Sequence, residues 1–161
     1  MVKTAGIILI IVGVALFLWW IWKFQNKSQN SPSNNQKITI SLNAHVYTME
    51  VAKTNSQRET GLSYRNELCA TCGMIFVFNQ EAIWPFWMKD THIPLDMIWL
   101  TKTGKITTIL TAQPEPGVAL YHLKIYKNTI PSTYVLELNA GDAQKLGLTI
   151  GRSITLPYEQ L

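Results

Sequence analysis

The stretch WPFWMKDTHIPLDMIWL, residues 84–100, places four consecutive polar side chains inside a largely apolar sequence. The four are Lys89, Asp90, Thr91 and His92. Charges flanked this closely by apolar residues must be paired or face a cavity, because burying an unpaired charge is costly. The end of the stretch, 97–100, is a short apolar run, and a Thr-Gly-Lys turn separates it from a second run at 106–110. These two runs predict a β-hairpin.

Further strands are predicted on both sides of that stretch from runs of alternating or mainly apolar residues. They lie at 37–42, 45–52, 74–78, 134–138 and 153–156. Two short helices fit between them. The first begins at Thr54, which with Gln57 forms a capping box, and it places Arg58, Leu62 and Arg65 on one face. The second covers 142–146, capped by Asp142 and ended by Gly147.

Strands therefore dominate and helices are short, which is typical of an α+β, mainly β domain. We predict a compact, small barrel-like antiparallel sheet with two short helices, preceded by one transmembrane helix. The chain has 161 residues, enough for one domain with appendages.

The predicted transmembrane helix lies at the N-terminus. An unbroken run of 18 apolar residues, 5–22, ends in a cluster of three tryptophans, and indole rings favour the membrane interface. A cleaved signal peptide and a buried core helix are the alternatives. Cleavage requires small residues where this chain has bulky ones, and a core helix would have a polar face. We predict an uncleaved anchor at 1–24.

A flexible linker is predicted at 25–36, where the sequence QNKSQNSPSNNQ has no aliphatic residue. The folded domain then covers 37–161. Lysines flank both ends of the anchor, so charge alone barely fixes its orientation. We predict a single-pass protein of the cell membrane with the N-terminus inside and the domain outside the cytoplasm.

The net charge argues against a nucleic-acid partner. The whole chain carries a formal charge of +4, but from Lys37 onward there are 11 basic and 10 acidic residues, which leaves +1. A nucleic-acid-binding domain should present a basic face, and none is indicated. The predicted partner is the membrane itself, and the sequence does not indicate which small molecule or protein the domain binds.

Several blocks of the domain match a known family in order. They are Arg58-x-x-Gly61-Leu62-Ser63-x-Arg65, Gly73-Met74-Ile75-Phe76-x-Phe78, 86–97, 135–141 and Leu146-Gly147. With these blocks the chain resembles the domain of unknown function 192 family, bacterial and archaeal proteins that are often exported or membrane-anchored. The resemblance covers about 120 residues. It implies a compact, mainly β fold and strengthens the outside orientation, but it implies no activity.

The chain departs from the family pattern in two places. Gly151-Arg152 stands where the family usually has Gly-Asp, and the segment 115–131 has no clear counterpart in the pattern.

The two cysteines, Cys69 and Cys72, form a C-x-x-C. A zinc site would need a second pair of ligands, and a thioredoxin-like site would need a helix N-terminus after a strand. An exported domain could instead form a local disulfide, and free thiols are a further alternative. Nearby methionines and His92 could bind Cu(I), although methionines in apolar strands usually fill the core. We predict a disulfide, no metal and no cofactor.

The candidate binding site consists of Arg58, Arg65, Lys89, Thr91 and Asp96. The three cations could bind an anionic ligand, with Thr91 adding a hydrogen bond. Alternatively, the charges form an internal network in which Asp96 and Glu137 pair with the two arginines and stabilise the fold.

Two functions remain open from the sequence. The first is a membrane-tethered, extracytoplasmic binding or accessory domain without a known specific activity. The alternative is a hydrolase-like envelope enzyme that uses Lys89, His92 and Asp96. No phosphate loop, nucleophile elbow or H-E-x-x-H motif is present to support an enzyme.

Overall fold

The computed structural model describes residues 35–161, so the predicted anchor and most of the predicted linker lie outside the described residues. Within 35–161, no helix is both long and apolar enough to cross a membrane. The strands are β1 (Lys37–Leu42), β2 (His45–Ala52), β3 (Cys72–Ala82), β4 (Pro85–Phe86), β5 (Leu95–Leu100), β6 (Ile106–Ala112), β7 (Tyr126–Lys127) and β8 (Ser132–Asn139). The helices are α1 (Asn55–Thr60) and α2 (Asp142–Lys145), with 3-10 turns at Leu120–His122 and Tyr158–Gln160.

Six strands form one mixed sheet in the order β1-β2-β3-β8-β5-β6, and β4 pairs with β7 in a separate ribbon. The predicted β-rich fold and the hairpin β5–β6 are confirmed. The predicted barrel-like antiparallel sheet is wrong in two respects. The sheet is open, with β1 and β6 at its edges, and β2 runs parallel to β3 because α1 lies in the crossover between them.

Both faces of the sheet are covered, which explains why it need not close. Strand β5 is buried at every residue. Its odd-numbered side chains, Leu95 to Trp99, pack in one apolar cluster, whereas Ile98 and Leu100 pack in another. The first cluster is completed by the loops after α1 and before β5, and the second by α2 and the C-terminal segment. A sheet buried on both sides has two cores, whereas a barrel encloses one.

Helix α1 begins as predicted but ends early. Thr54 accepts a hydrogen bond from the Gln57 backbone, and the Gln57 side chain accepts one from the Thr54 backbone, so the capping box is present. The helix ends at Gly61, whose φ of +47° favours glycine. The prediction that Leu62 and Arg65 continue one helical face with Arg58 is therefore wrong.

The last predicted elements are shorter than expected. Helix α2 has Gly141 as its N-cap, and the side chain of Asp142 instead accepts hydrogen bonds from Tyr47 and Lys145. The predicted strand at 153–156 is wrong, because only Ser153 forms an isolated bridge, to Lys105. The apolar side chains of that segment are buried without strand pairing.

Candidate functional site

A pocket of about 170 Å³ lies between the end of α1, the sheet and the segment before Lys89. Its walls are largely aromatic: Phe76, Phe78, Trp84, Phe86 and Trp87. Polar groups come from α1 and the turn after it, from Thr91 and from Glu137 on β8. A cavity of roughly 150 Å³ holds a benzene ring, so this pocket has the size of one ring or a short chain.

The aromatic walls are fixed by contacts with one another. The rings of Phe78 and Trp84 stack with centroids 3.8 Å apart, and Phe86 meets Phe76 edge-on at 4.9 Å. The Trp84 indole N–H donates to the carbonyl of Ser132, at a distance of 2.8 Å. These contacts leave the rings little rotational freedom, so the pocket is preformed.

Glu137 is the buried ionisable group of this pocket. Only 4% of its surface is exposed, and it lies opposite Met74 and Met97 in the sheet. No residue in the described part of the chain forms a hydrogen bond with its carboxyl group. Burial raises the pKa of Glu137 to about 8, although the positive charge of Arg65 acts in the opposite direction. The carboxyl group is therefore largely protonated at neutral pH and can both donate and accept a hydrogen bond.

Two of the five predicted binding residues, Arg58 and Thr91, line the pocket. The Arg58 guanidinium lies 5.0 Å from the Phe78 ring centroid. It donates to the carbonyls of Val77 (2.9 Å) and Lys53 and to the side chain of Asn55. These bonds hold Arg58 at the wall of the pocket and use much of its donor capacity.

The other three predicted residues have separate surroundings, and none of them lines this pocket. Arg65 forms a two-pronged ion pair with Glu50, at 2.7 and 2.8 Å, which raises the pKa of Arg65. Lys89 is half-exposed, 3.9 Å from Asp90. Asp96 is buried, and its oxygens accept hydrogen bonds from two backbone N–H groups and one hydroxyl. Of the three cations predicted to bind an anionic ligand, only Arg58 therefore lies at the pocket.

The three residues of the enzyme hypothesis, Lys89, His92 and Asp96, do not line the pocket described above. His92 is exposed and contacts Asn66, at a distance of 2.8 Å. Asp96 is only 2% exposed and its hydrogen-bonding positions are occupied, whereas the Lys89 ammonium faces solvent. General acid–base catalysis needs groups that reach one substrate, and this arrangement does not provide them.

One of the alternatives drawn from the sequence paired Glu137 with an arginine, and none of them predicted the aromatic walls. One signal for Glu137 was present, since it is the one charged residue within the apolar run 134–138. The aromatic residues come from β3 and the 84–87 segment, and no local pattern shows that they converge.

Cys69 and Cys72 form a disulfide with their Cα atoms 5.0 Å apart. The same turn is held by other bonds. The Cys72 N–H donates to the Cys69 carbonyl at 3.0 Å, and the Asn139 side chain donates to that carbonyl at 3.1 Å. Within residues 35–161, no group of three or more potential metal ligands is present.

Replacing Cys69 and Cys72 by serine is expected to lower the free energy of unfolding by only about 1–2 kcal/mol. A disulfide stabilises mainly by restricting the unfolded chain, and this one closes a very short loop. The measurement is urea unfolding of both proteins under non-reducing conditions. Loss of folding in the double variant would show that the disulfide, rather than the hydrogen bonds around it, maintains the turn.

Comparisons with known proteins identify the family of the chain but no activity. No curated protein matches. One similar solved structure is a protein of unknown function from Novosphingobium aromaticivorans, with 30% identity and a TM-score of 0.68, covering 80% of this chain and 91% of that one. Another is a proposed transcription regulator from Sinorhizobium meliloti, with 34% identity and a TM-score of 0.65, covering 78% of this chain and 97% of that one.

The match makes up nearly all of each solved chain, which shows that a domain of this kind folds on its own. Residues 37–156 match the family described as an uncharacterised ACR. The chain therefore belongs to the domain of unknown function 192 family.

Proposed function

We propose that the chain is a membrane-tethered, extracytoplasmic binding domain whose pocket takes a ring-sized ligand with an apolar face and a hydrogen-bonding group. The observation that carries this proposal is Glu137, a buried carboxyl group without a hydrogen-bond partner in the described chain, in a cavity with aromatic walls. Buried polar groups are normally hydrogen-bonded, so an unpartnered one inside a pocket indicates a position for a ligand atom.

The chemistry of the pocket favours a ligand that is neutral where it meets Glu137. A protonated carboxyl group donates to a carbonyl or hydroxyl oxygen, and the rings pack against an apolar face. Thr91, which is also buried, and Arg58 add polar groups to the lining of the pocket. The sequence before the domain supports the tether. The apolar run at 5–22 is long enough to span a bilayer, and the polar linker at 25–36 joins it to the domain.

Ring-sized compounds that bind this pocket are expected to raise the melting temperature of residues 37–161. A ligand at about 100 times its Kd stabilises the folded state by about 2.7 kcal/mol. The measurement is a thermal-shift screen of small carbonyl- and hydroxyl-bearing ring compounds at neutral pH.

Two matched variants decide whether a stabilising compound occupies this pocket. Thr60→Trp places an indole at the exposed rim and should abolish the shift, whereas Thr39→Trp makes the same change at an exposed position on β1 and should preserve it. A shift that survives Thr60→Trp would place the compound elsewhere. A screen in which no compound is sensitive to Thr60→Trp contradicts the proposal.

A further inference from the structure

The segment 116–131 presents apolar side chains to solvent, and the carboxylate that borders it, Glu115, accepts a hydrogen bond from the Lys124 backbone N–H (3.1 Å). The segment contains two lysines, one histidine and no aspartate or glutamate. Its exposed large apolar side chains are Val118 (36%), Leu120 (63%), Tyr121 (83%), Ile125 (50%) and Ile130 (52%), and Tyr121 is the most exposed large apolar side chain in the described residues. Soluble surfaces usually carry such residues singly, so a group of five calls for an explanation.

This segment is held in place by its inward-facing residues. Leu123, Tyr126 and Asn128 are all less than 10% exposed. The Asn128 side chain donates to the carbonyls of Ala82 (3.0 Å) and Ile130 (2.6 Å) and accepts from the Trp84 backbone (2.7 Å). The outward apolar residues are therefore presented by a structured loop.

The exposed apolar surface continues onto the neighbouring strand. In the β4–β7 ribbon, Phe86 pairs with Tyr126, and Trp87 and Ile125 are the residues that directly adjoin this pair along the two chain segments. Trp87 is 41% exposed, and Ile83, before β4, is 42% exposed. Trp87 also lines the pocket, so this surface borders the pocket. We call residues 116–131 with Ile83 and Trp87 the apolar face.

We propose that the apolar face docks on the surface of a bilayer that contains anionic lipids. Aromatic and aliphatic side chains mixed with lysines are the composition of protein surfaces that lie in the membrane interface. Lys124 and Lys127 are exposed within the apolar face and match the charge of anionic head groups. Residues 116–131 contain no acidic residue, and the bordering Glu115 is only partly exposed, with its carboxylate accepting a hydrogen bond from the Lys124 backbone N–H.

This inference rests on the membrane tether of the proposed function. A linker of 12 residues, 25–36, spans at most about 40 Å. A compact domain of this size has a diameter of roughly 35 Å, so a tether of that length lets any face of the domain reach the bilayer. Because the tether raises the local concentration of lipid, even a weak surface contact would be populated.

The test measures binding of residues 37–161 to vesicles of phosphatidylcholine with phosphatidylglycerol, and to vesicles of phosphatidylcholine alone. The domain should bind the anionic vesicles more strongly, and Leu120→Ser/Tyr121→Ser should lower the partition coefficient about tenfold. The matched control is Val46→Ser/Ile150→Ser, which removes two exposed apolar side chains of 62% and 66% exposure from outside the apolar face. The control should bind as the wild type does.

Several results would overturn the docking proposal. They are failure of the wild-type domain to bind either vesicle, equal binding by Leu120→Ser/Tyr121→Ser, and a dimer in solution that this double substitution dissociates. The last result would assign the face to a second copy of the chain. The tether is tested separately by flotation of the full chain with membranes. A full chain that does not float contradicts the tether, and the isolated domain still decides the docking surface.

Discussion

Replacing Asp96 by alanine is expected to lower the free energy of unfolding by about 3–5 kcal/mol. The Asp96 Oδ2 atom accepts hydrogen bonds from the backbone N–H groups of Gly141 and Ala143, each at 2.9 Å. Its Oδ1 atom accepts one from the Thr111 hydroxyl at 2.7 Å. Alanine would leave the buried Ala143 N–H without a partner and would remove the hydrogen bonds from Gly141 and Thr111, at a site where Asp96 itself is 2% exposed. Each unsatisfied buried group costs about 1–3 kcal/mol.

The variant Asp96→Asn tests whether Asp96 stabilises the fold through these hydrogen bonds or through an ion pair. The amide oxygen can accept both backbone N–H groups, and the amide nitrogen can donate to the Thr111 hydroxyl oxygen, so the cost should be only about 1–2 kcal/mol. The measurement is urea unfolding of residues 37–161. Asp90→Asn is the control, because Asp90 meets the Tyr64 hydroxyl at an exposed site, and it should stay within about 0.5 kcal/mol of the wild type. Equal losses for Asp96→Ala and Asp96→Asn would mean that the negative charge itself is needed.

The sequence indicated that the charges near residue 90 are paired or face a cavity, and one alternative paired Asp96 with Arg58 or Arg65. Asp96 is satisfied mainly by backbone donors 45 and 47 residues further along the chain. Every residue except proline has such a donor, so the donors leave no signature in the sequence. Arg65 pairs with Glu50 rather than Asp96, because the chain leaves the helical path at Gly61 and turns Arg65 towards β2.

Strand positions were predictable because the apolar pattern is local. Strands β1 and β2 lie where predicted, and the capping box placed the start of α1. The strand order was not predictable. The parallel pairing of β2 with β3 and the insertion of β8 between β3 and β5 depend on contacts between distant segments. The aromatic pocket depends on the same contacts, since it joins α1, β3, β8 and the segment 84–91.

Wild-type protein is expected to lose stability relative to Glu137→Gln as the pH rises from about 4.5 to about 8. Below this range the Glu137 carboxyl is protonated in both the folded and the unfolded chain. Within it, the unfolded chain releases the proton and the folded chain retains it, because the folded pKa is the higher one. Each pH unit then favours unfolding by about 1.4 kcal/mol, or roughly 3–5 kcal/mol over the whole range.

Urea unfolding near pH 5 and near pH 9 measures this effect, since glutamine is a neutral group of the same shape that does not titrate. The difference in free energy of unfolding between Glu137→Gln and the wild type should shift in favour of the variant by roughly 3–5 kcal/mol between the two conditions. Glu59→Gln removes an exposed carboxyl group from the rim of the same pocket, and it should follow the wild type within about 0.5 kcal/mol at both.

If the free energy of unfolding changes with pH in the same way for Glu137→Gln and the wild type, Glu137 is already ionised in the folded protein. An ionised carboxylate only accepts hydrogen bonds, so the pocket would then select a hydrogen-bond donor or a cation instead of a carbonyl oxygen. The expected divergence supports a protonated Glu137. A ligand that accepts a hydrogen bond from the protonated Glu137 carboxyl group should then bind less tightly as the pH rises through about 8. The ionised carboxylate no longer donates a hydrogen bond. The unfolding curves thereby determine whether the thermal-shift screen should use hydrogen-bond acceptors or, instead, hydrogen-bond donors and cations.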